Sequence, residues 1–373
     1  MDTTVLKCPG CGSPLPYDAA IKKWKCESCG SVYDAIQVMQ MTQDSDKDTD
    51  TQKMPSPPPP PNGTGYTPGT PPIISDDAGY QPQPELDVYR CKNCGAEMVS
   101  DENTAATFCV YCGSTSILKS RLEGEFRPSR VIPFSKTKQD AINAFKNLMH
   151  KENFVPNDFT KESNIEKITG VYIPFWLYSG SVQGHVTGKL HKVTSWMSGN
   201  YKYTKTDVYD VARAGSVSFE GIPADGSKKF DDDTMDSIEP FNLKELVPFN
   251  YAYLSNFLAE KYDVTAEEDQ ERAAGRMRNT IVSHIDGTIS GALVGRQQNV
   301  KEQISKVEYV LLPVWMLNTF WKGKAYPFAM NGQTGKLVGS APVDRGKWWR
   351  AFLLTSAICV PIIYLIVKFL TEP

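Results

Sequence analysis

Eight of the nine cysteines lie in four pairs of the form Cys-x-x-Cys, and this spacing constrains the fold more than any other feature. Fourteen residues separate the two pairs of each quartet, and a glycine follows every pair. One turn can present both sulfurs of a pair to one ion, and glycine adopts the positive φ that such a turn tends to need. Two such turns complete a tetrahedral shell of four sulfurs, which suits Zn²⁺. The predicted zinc ligands are Cys8, Cys11, Cys26 and Cys29 in the first site and Cys91, Cys94, Cys109 and Cys112 in the second.

Four protein ligands close the coordination shell, so we expect two structural zinc ions rather than catalytic ones. The binding free energy, on the order of 10 kcal/mol, would largely be the folding free energy of each small zinc ribbon. One alternative is iron, which can occupy a four-sulfur site. The other, a redox dithiol, needs a surrounding βαβ pattern that the sequence lacks. The first residues contain no apolar run, so we expect no secretory signal and a reducing compartment.

Composition divides the 373 residues into five regions. The region between the quartets is acidic at first and then rich in proline and glycine, so it cannot bury enough apolar surface to fold. The region after the second quartet carries both helix and strand patterns, which predicts an α+β fold. The expected regions are zinc ribbon 1 (1–40), a disordered linker (41–86), zinc ribbon 2 (87–122), an α+β soluble domain (123–346) and a transmembrane anchor (347–373).

Three helices are expected in the α+β domain. The first follows Ser135, which we predict as its N-cap, and places Ala141, Phe145 and Met149 at helical spacing. The second is expected at 250–260. The third is expected at 266–285, where Met277, Ile281 and Ile285 are four residues apart.

Strands are expected at 171–190, 201–222 and 307–339, where β-branched and aromatic residues are frequent and glycine-containing turns intervene. The segments 172–177 and 312–317 echo each other, which suggests a duplicated unit of helix and antiparallel sheet. Their aromatic side chains are expected in the sheet core, with a lipid-facing or partner-facing surface as the alternative.

The C-terminal segment 351–370 contains a single charge, Lys368. Twenty helical residues span about 30 Å, the thickness of the hydrocarbon layer, so we predict one transmembrane helix. Trp348 and Trp349 suit the membrane interface, and the preceding cations Arg345, Lys347 and Arg350 place the bulk of the chain in the cytoplasm. The alternative is a buried core helix.

Charge argues against nucleic-acid binding as the main role. The net charge is −3, and each ribbon region holds four Lys and Arg against four Asp and Glu, whereas phosphate binding needs clustered cations. The four histidines are scattered, and no nucleophile with a base and an orienting group can be assembled. The segment 331–336 is expected to be a hairpin turn rather than a phosphate loop. We therefore expect a protein without enzymatic activity.

The order of these parts resembles a known family. The paired CxxCG ribbons, the segments FRPSRVIPF, YIPFWLY, LLPVWML and FAMNGQTGK, and the late apolar anchor resemble the YdjG-like bacterial zinc-ribbon membrane proteins. The resemblance covers most of the chain outside the linker. It implies work at the cell membrane with a second membrane protein, an SPFH-domain protein and a phage-shock-protein-A-like effector during envelope stress.

The sequence therefore favours a membrane-anchored scaffold or adaptor that recruits protein partners to the cytoplasmic membrane. The alternative is a membrane-tethered regulator that binds nucleic acid through its ribbons.

Overall fold

The computed structural model describes residues 6–44, 87–100, 109–111, 117–120, 128–152, 154–160, 167–229, 232–322 and 324–371. Within them the chain has an α+β fold with five helices and two mainly antiparallel sheets, in agreement with the expected fold class. The predicted linker at 41–86 lies outside the described residues from 45 onward.

The helices and strands are numbered in chain order. The helices are α1 (Ala35–Asp44), α2 (Lys138–Lys151), α3 (Asp232–Ile238), α4 (Ala266–Asp286) and α5 (Arg345–Thr371). The strands are β1 (Tyr17–Asp18), β2 (Lys23–Lys25), β3 (Val32–Tyr33), β4 (Asp87–Cys91), β5 (Glu97–Ser100), β6 (Ile117–Ser120), β7 (Arg130–Val131), β8 (Thr169–Ser198), β9 (Tyr201–Asp225), β10 (Val247–Pro248), β11 (Leu258–Glu260), β12 (Leu293–Trp321), β13 (Lys324–Asn331) and β14 (Leu337–Gly339).

Three long strands dominate the main sheet. Strand β8 has 30 residues, β9 has 25 and β12 has 29. Both β9 and β12 pair antiparallel with β8, which lies between them. The full order is β10-β7-β12-β8-β11-β5-β4-β6, with β13 and β14 added beside β12 and β9 beside β8. The small sheet, β1-β2-β3, belongs to the first cysteine quartet.

The main sheet is buried on both faces near its centre. Along β8, Tyr172, Trp176 and Tyr178 face one core, whereas Ile173 and Phe175 face the other. This alternation follows from the two-residue period of a strand. Because both faces are covered, the sequence of this stretch is apolar at nearly every position. The two echoing segments at 172–177 and 312–317 lie side by side in β8 and β12.

Helix α2 confirms the expected pattern but begins later than predicted. Its N-cap is Thr137, whose side chain accepts a hydrogen bond from the backbone N–H of Asp140, and the Asp140 side chain completes a capping box. Ser135 is therefore not the N-cap. Ala141, Phe145 and Met149 are buried against the sheet, as their spacing predicts.

The helix predicted at 250–260 is wrong. The segment forms a 3-10 turn at Tyr251–Leu254 and then strand β11. The side chain of Asn250 caps the turn, and Asn256 has a φ of 68°, which an α-helix does not permit. All three residues of β11 are buried between β8 and β5, so strand pairing in the core outweighs local helix propensity.

Helix α4 agrees with its prediction and packs on the sheet with its buried residues Met277, Ile281 and Ile285. The glycines of β8 do not break the strand. A Cβ at Gly184 would lie 2.9 Å from both Ile281 Cγ1 and Ile285 Cδ1, so this glycine makes room for the helix.

The sheet extends beyond its core as an arm, defined here as 181–198 of β8, 201–218 of β9 and 293–304 of β12. Helix α4 covers part of one face, and the outermost hairpin of β8 and β9 projects past the end of β12. Trp196 and Tyr203 stack across this hairpin, with their ring centroids 5.7 Å apart.

Helix α5 meets the body at its base; the body is defined here as the main sheet outside its arm, together with α2–α4 and the segments that connect them. The backbone N–H of Asp344 donates to the carbonyl of Phe154 (2.7 Å), and Lys347 Nζ donates to the carbonyl of Val155 (2.6 Å). Within Arg345–Lys368, the most apolar window of 18 residues has a mean hydropathy of 2.1, and none of that window is buried. It is long and apolar enough to cross a membrane.

Candidate metal centres

The first cluster is built from two turns that local geometry makes nearly identical. In one turn the N–H of Gly12 donates to the carbonyl of Cys8, and in the other the N–H of Gly30 donates to the carbonyl of Cys26, both over 2.8 Å. Gly12 and Gly30 have φ values of 72° and 78°, a region that favours glycine. Each turn therefore directs two cysteine side chains to one point.

The sulfurs of the first cluster lie at the spacing that a metal ion requires. Cys8 Sγ lies 3.5 Å from Cys29 Sγ, and Cys11 Sγ lies 3.5 Å from Cys26 Sγ. All four sulfurs lie within 4.8 Å of one another. A tetrahedral ion with metal–sulfur bonds of about 2.3 Å would separate its ligands by ~3.8 Å, so the four residues fit such an ion.

The thiols of the first cluster have divergent proton affinities. Hydrogen bonds with the side chain and backbone of Ser31 lower the pKa of Cys29 to about 6. A hydrogen bond with the Tyr33 hydroxyl, 3.5 Å from the sulfur, lowers the pKa of Cys8. For Cys26 a backbone hydrogen bond from Cys29 lowers the pKa, but burial and the neighbouring thiols outweigh it and raise the value to about 11. Metal binding requires thiolates, so an ion would have to displace the protons that remain on this cluster.

Aromatic side chains dock the first cluster on the body. Trp24 is 1% exposed, and its Nε1–H donates to the carbonyl of Ala252 over 3.1 Å. Its ring lies 4.9 Å from that of Tyr253, which also contacts Tyr17 at 5.6 Å. The Tyr17 hydroxyl donates to the carbonyl of Phe134. The first cluster therefore shares one continuous core with the face of the sheet that carries α2 and α4.

The second cluster uses the same turn in a different setting. The N–H of Gly95 donates to the carbonyl of Cys91 over 2.9 Å, and Gly95 has a φ of 73°. Cys94 Sγ lies 3.6 Å from Cys109 Sγ, and Cys91, Cys94 and Cys109 lie within 4.8 Å of one another. Cys112 falls outside the described residues, so its role as fourth ligand stays a prediction. The three described sulfurs fit a metal ion as well as those of the first cluster.

Strand pairing joins the second cluster to the main sheet. Strand β5 follows the Cys91–Cys94 turn and pairs with β11, so the cluster is continuous with the backbone of the body. Cys91, Cys109 and Val110 pack in the core on the face that carries α3. Asn318 of β12 donates its side-chain amide to the carbonyls of Val110 and Tyr111. The two clusters thus contribute to the cores on opposite faces of one sheet.

A buried carboxyl lies beneath the second cluster. Glu260 is 1% exposed and accepts hydrogen bonds from the hydroxyls of Tyr111 and Ser227, each over 2.8 Å. Burial raises the pKa of Glu260 to about 8, against the effect of these hydrogen bonds. Lys229 lies nearby and pairs with Asp263 at 2.7 Å. The cluster therefore rests on a polar network whose central acid is neutral at pH 7.

The sequence pattern predicts the cysteine ligands of each cluster, but it does not predict the residues that attach each cluster to the body. Trp24 could have been found, because it is the one apolar residue between Lys23 and Lys25 and so occupies the inward position of a short strand. Glu260 lies in the segment 250–260, where the sequence pattern predicts a helix and the structure has strand β11. His185 and His191 are exposed on β8.

The segment 331–336 and an acidic segment of α3 also have structural roles. The segment 331–336 is the expected hairpin: the N–H of Asn331 donates to the carbonyl of Lys336 between β13 and β14. Asp232 and Asp236 of α3 pair with Arg272 of α4 at 3.3 and 2.6 Å.

Fold and site together define an α+β protein with two cysteine clusters able to hold a metal such as zinc and a C-terminal apolar helix long enough to span a membrane. A protein of Bacillus subtilis (strain 168), named "Uncharacterized protein YdjG", is 35% identical over 310 residues, covering 69% of this chain and 91% of that protein. The chain belongs to the YdjG family. No family model and no solved structure matches the chain.

Proposed function

We propose that this chain is a membrane-anchored adaptor without enzymatic activity, which recruits protein partners to the cytoplasmic face of the cell membrane. The observation that carries the proposal is helix α5. Its side chains between Phe352 and Val367 are largely exposed. Soluble monomers rarely expose a contiguous apolar surface of this size. A lipid bilayer would bury it. Arg345, Lys347 and Arg350 at the base of the helix favour a cytoplasmic body.

The cysteine clusters support a structural role for zinc in this adaptor. The first cluster offers four sulfurs, which fill a tetrahedral shell and leave no position for substrate or water. The second would be equally closed with Cys112 as its fourth ligand. Zinc would hold each pair of turns together as a zinc ribbon, because the strands of the first ribbon are only two or three residues long.

The first ribbon also presents apolar side chains to solvent. Ile36 of α1 is 69% exposed, Val32 is 45% exposed and Ile21 is 44% exposed. The opposite side of the same ribbon is buried through Trp24, so these residues are not needed for docking. They offer a surface of the kind that protein partners bind.

Family resemblance supplies the kind of partner. Resemblance to the YdjG-like proteins points to a second membrane protein, an SPFH-domain protein and a phage-shock-protein-A-like effector, and to a role in envelope stress. Adaptor activity of this kind needs a membrane anchor and an exposed contact surface. Helix α5 is long and apolar enough for the first, and the exposed apolar side chains of the first ribbon would supply the second.

Membrane anchoring is tested by fractionation. We expect the full chain to remain in membranes after an alkaline carbonate wash, and a chain ending at Arg350 to be soluble. If the full chain washes off, the proposal is wrong.

Partner recruitment is tested by affinity purification from membranes. We expect Ile36→Asp to lose partners that the wild type recovers while keeping its metal. Gln40→Asp is the matched control, because it adds the same charge to an exposed position of the same helix.

Cys8→Ser with Cys11→Ser should lose partners and one metal ion, whereas Cys359→Ser should change neither. Equal recovery from all variants would contradict the proposal. Steep salt-dependent binding of DNA or RNA by the wild type would favour the nucleic-acid alternative.

A further inference from the structure

Strand β9 has a long edge that pairs with no other strand in the part of the chain that the structure describes. Its one described partner is β8, which lies along the other edge. Residues 201–211 are exposed or half-exposed throughout, with Tyr201 72% and Tyr209 50% exposed. Alternate residues of such an edge direct N–H and C=O groups outward, which makes it a template for another strand.

The sequence of this edge is complementary to itself when read backwards. The eleven residues are YKYTKTDVYDV, with Thr206 at the centre. If two copies align antiparallel about Thr206, each lysine of one copy faces an aspartate of the other. The resulting pairs are Tyr201 with Val211, Lys202 with Asp210, Tyr203 with Tyr209, Thr204 with Val208, Lys205 with Asp207, and Thr206 with Thr206.

The geometry of a sheet permits this alignment. Residues paired across two antiparallel strands must lie on the same face, and a two-fold axis normal to the sheet preserves the faces of both copies. Each pair about Thr206 joins positions an even number of residues apart, so this condition is met. Opposite charges, aromatic pairs and β-branched pairs directly across from each other all stabilise strand pairing.

Neighbouring alignments lose this complementarity. Shifting the centre by one residue towards the N-terminus places Lys205 opposite Lys205, and shifting it one residue the other way places Asp207 opposite Asp207. Parallel pairing in register would set every lysine and aspartate against its own kind. Like charges directly opposite are destabilising, so one register is strongly favoured over its neighbours.

The position of the edge leaves room for a second copy. The outermost hairpin of β8 and β9 lies past Leu293, which is the first residue of β12, whereas Trp321 is the last. These two ends of β12 are 28 residues apart, a distance of roughly 90 Å along a strand. The base of α5 contacts 154–157, next to Phe159, whose ring contacts Tyr326 at the Trp321 end. Two arms paired antiparallel therefore place their bodies at opposite ends, where the bodies do not collide.

We propose that the chain forms a two-fold homodimer through the outer edge of β9, with residues 201–211 of two copies paired antiparallel about Thr206. A continuous sheet then runs through both arms. Lys205 and Asp207, which already pair within one copy at 3.0 Å, would join their counterparts in a cluster of four alternating charges.

Site-specific crosslinking tests the register. The full chain in membranes, with Cys359→Ala as background, carries either Thr206→Cys or Thr204→Cys. Residues paired at the axis bring their Cα atoms about 5 Å apart, within disulfide range, whereas Thr204 would lie ~14 Å from its own copy. We expect mild oxidation to give at least tenfold more crosslinked dimer with Thr206→Cys. Equal yields, or no crosslinking with either variant, would overturn the proposal.

A charge swap tests the pairing without cysteines. In detergent, light scattering should give the mass of a dimer for the wild type and a shift towards monomer for Lys202→Asp, because this change sets two aspartates opposite each other at both ends of the paired segment. The double variant Lys202→Asp with Asp210→Lys restores opposite charges and should restore the dimer. Lys301→Asp makes the same charge change on exposed β12 and should leave the dimer intact. A monomeric wild type whose binding to anionic lipid vesicles is weakened by Lys202→Asp would overturn the proposal and identify the arm as a lipid contact.

Discussion

The two cysteine clusters share ligand spacing and turn geometry but join the body in different ways. The first docks through side chains, chiefly Trp24 against Tyr253. The second is continuous with the main sheet, because β5 pairs with β11. Ligand spacing therefore determines the local turn but not how the module is integrated. We expect the first cluster to behave as a separable module and the second as part of the folding unit.

Removing one ligand from each cluster should give the largest difference. Cys91→Ser should lower the unfolding free energy of the whole body, since structural zinc contributes on the order of 10 kcal/mol and this cluster continues into the main sheet. Cys8→Ser should leave the body folded. Metal analysis should show one ion lost in each variant, while denaturant unfolding followed by tryptophan fluorescence separates them. The same loss of stability in both variants would break the comparison.

Stability should depend on pH through the base of the second cluster. Glu260 keeps its proton in the folded state up to a pKa of about 8, above the ordinary value of 4.5, so the folded state binds more protons than the unfolded state between these values. Wild-type stability should therefore fall as the pH rises from about 4.5 to about 8. Glu260→Gln resembles the neutral acid and should make that fall smaller; the part due to Asp269, whose pKa burial raises to about 6, should remain.

The control for this experiment is Glu220→Gln, which changes an exposed carboxyl on β9. Thermal unfolding across this pH range provides the measurement. If Glu260→Gln keeps the wild-type slope, the acid beneath the second cluster is ionised in the folded state.

Trp24→Ala should release the first cluster from the body. Truncating a buried tryptophan costs about 3–5 kcal/mol. Here we expect this loss to weaken the docking of the first cluster on the body and to leave metal binding unchanged. We expect metal content to stay unchanged while limited proteolysis cuts the chain faster between the cluster and the body. Trp196→Ala on the arm, where the side chain is 48% exposed, is the matched control. Loss of metal from Trp24→Ala would mean that docking and the metal site fold together.

The smallest effect is expected at the ion pair between Lys22 and Glu245, which spans the first cluster and the body at 3.2 Å. Both side chains are exposed, so Lys22→Ala should weaken docking by about 0.2–1 kcal/mol at low salt. The difference from wild type should vanish in high salt, because salt screens surface charges. The rates of limited proteolysis of the wild type and Lys22→Ala measure this difference in docking. A difference that persists in high salt would mean that Lys22 acts through packing and not through its charge.

Local patterns made several features predictable. The Cys-x-x-Cys spacing predicts two clusters, and in the structure seven of the eight predicted ligands lie in two groups. The spacing is informative because each turn is determined by residues close in sequence. The spacing of Met277, Ile281 and Ile285 predicted α4, and the length of the apolar segment predicted α5.

Features that depend on distant residues were not predictable. The first half of β12, 293–306, is mostly polar and mostly exposed, although Ile304 is buried, and it is a strand because β8 pairs with it. The local pattern does not predict strand β11, because its neighbours in the sheet, β5 and β8, come from far along the chain. The attachment of the first cluster to Tyr253 likewise has no local signal.

That attachment also bears on how the protein is made. Trp24 and the carbonyl that it binds, on Ala252, are 228 residues apart. At a synthesis rate of about 5–20 residues per second, an N-terminal module waits roughly 11–46 s for its docking site to leave the ribosome. During that interval the aromatic face of the nascent module is open to solvent. During this interval the nascent chain therefore exposes a defined aromatic surface to which a chaperone can bind.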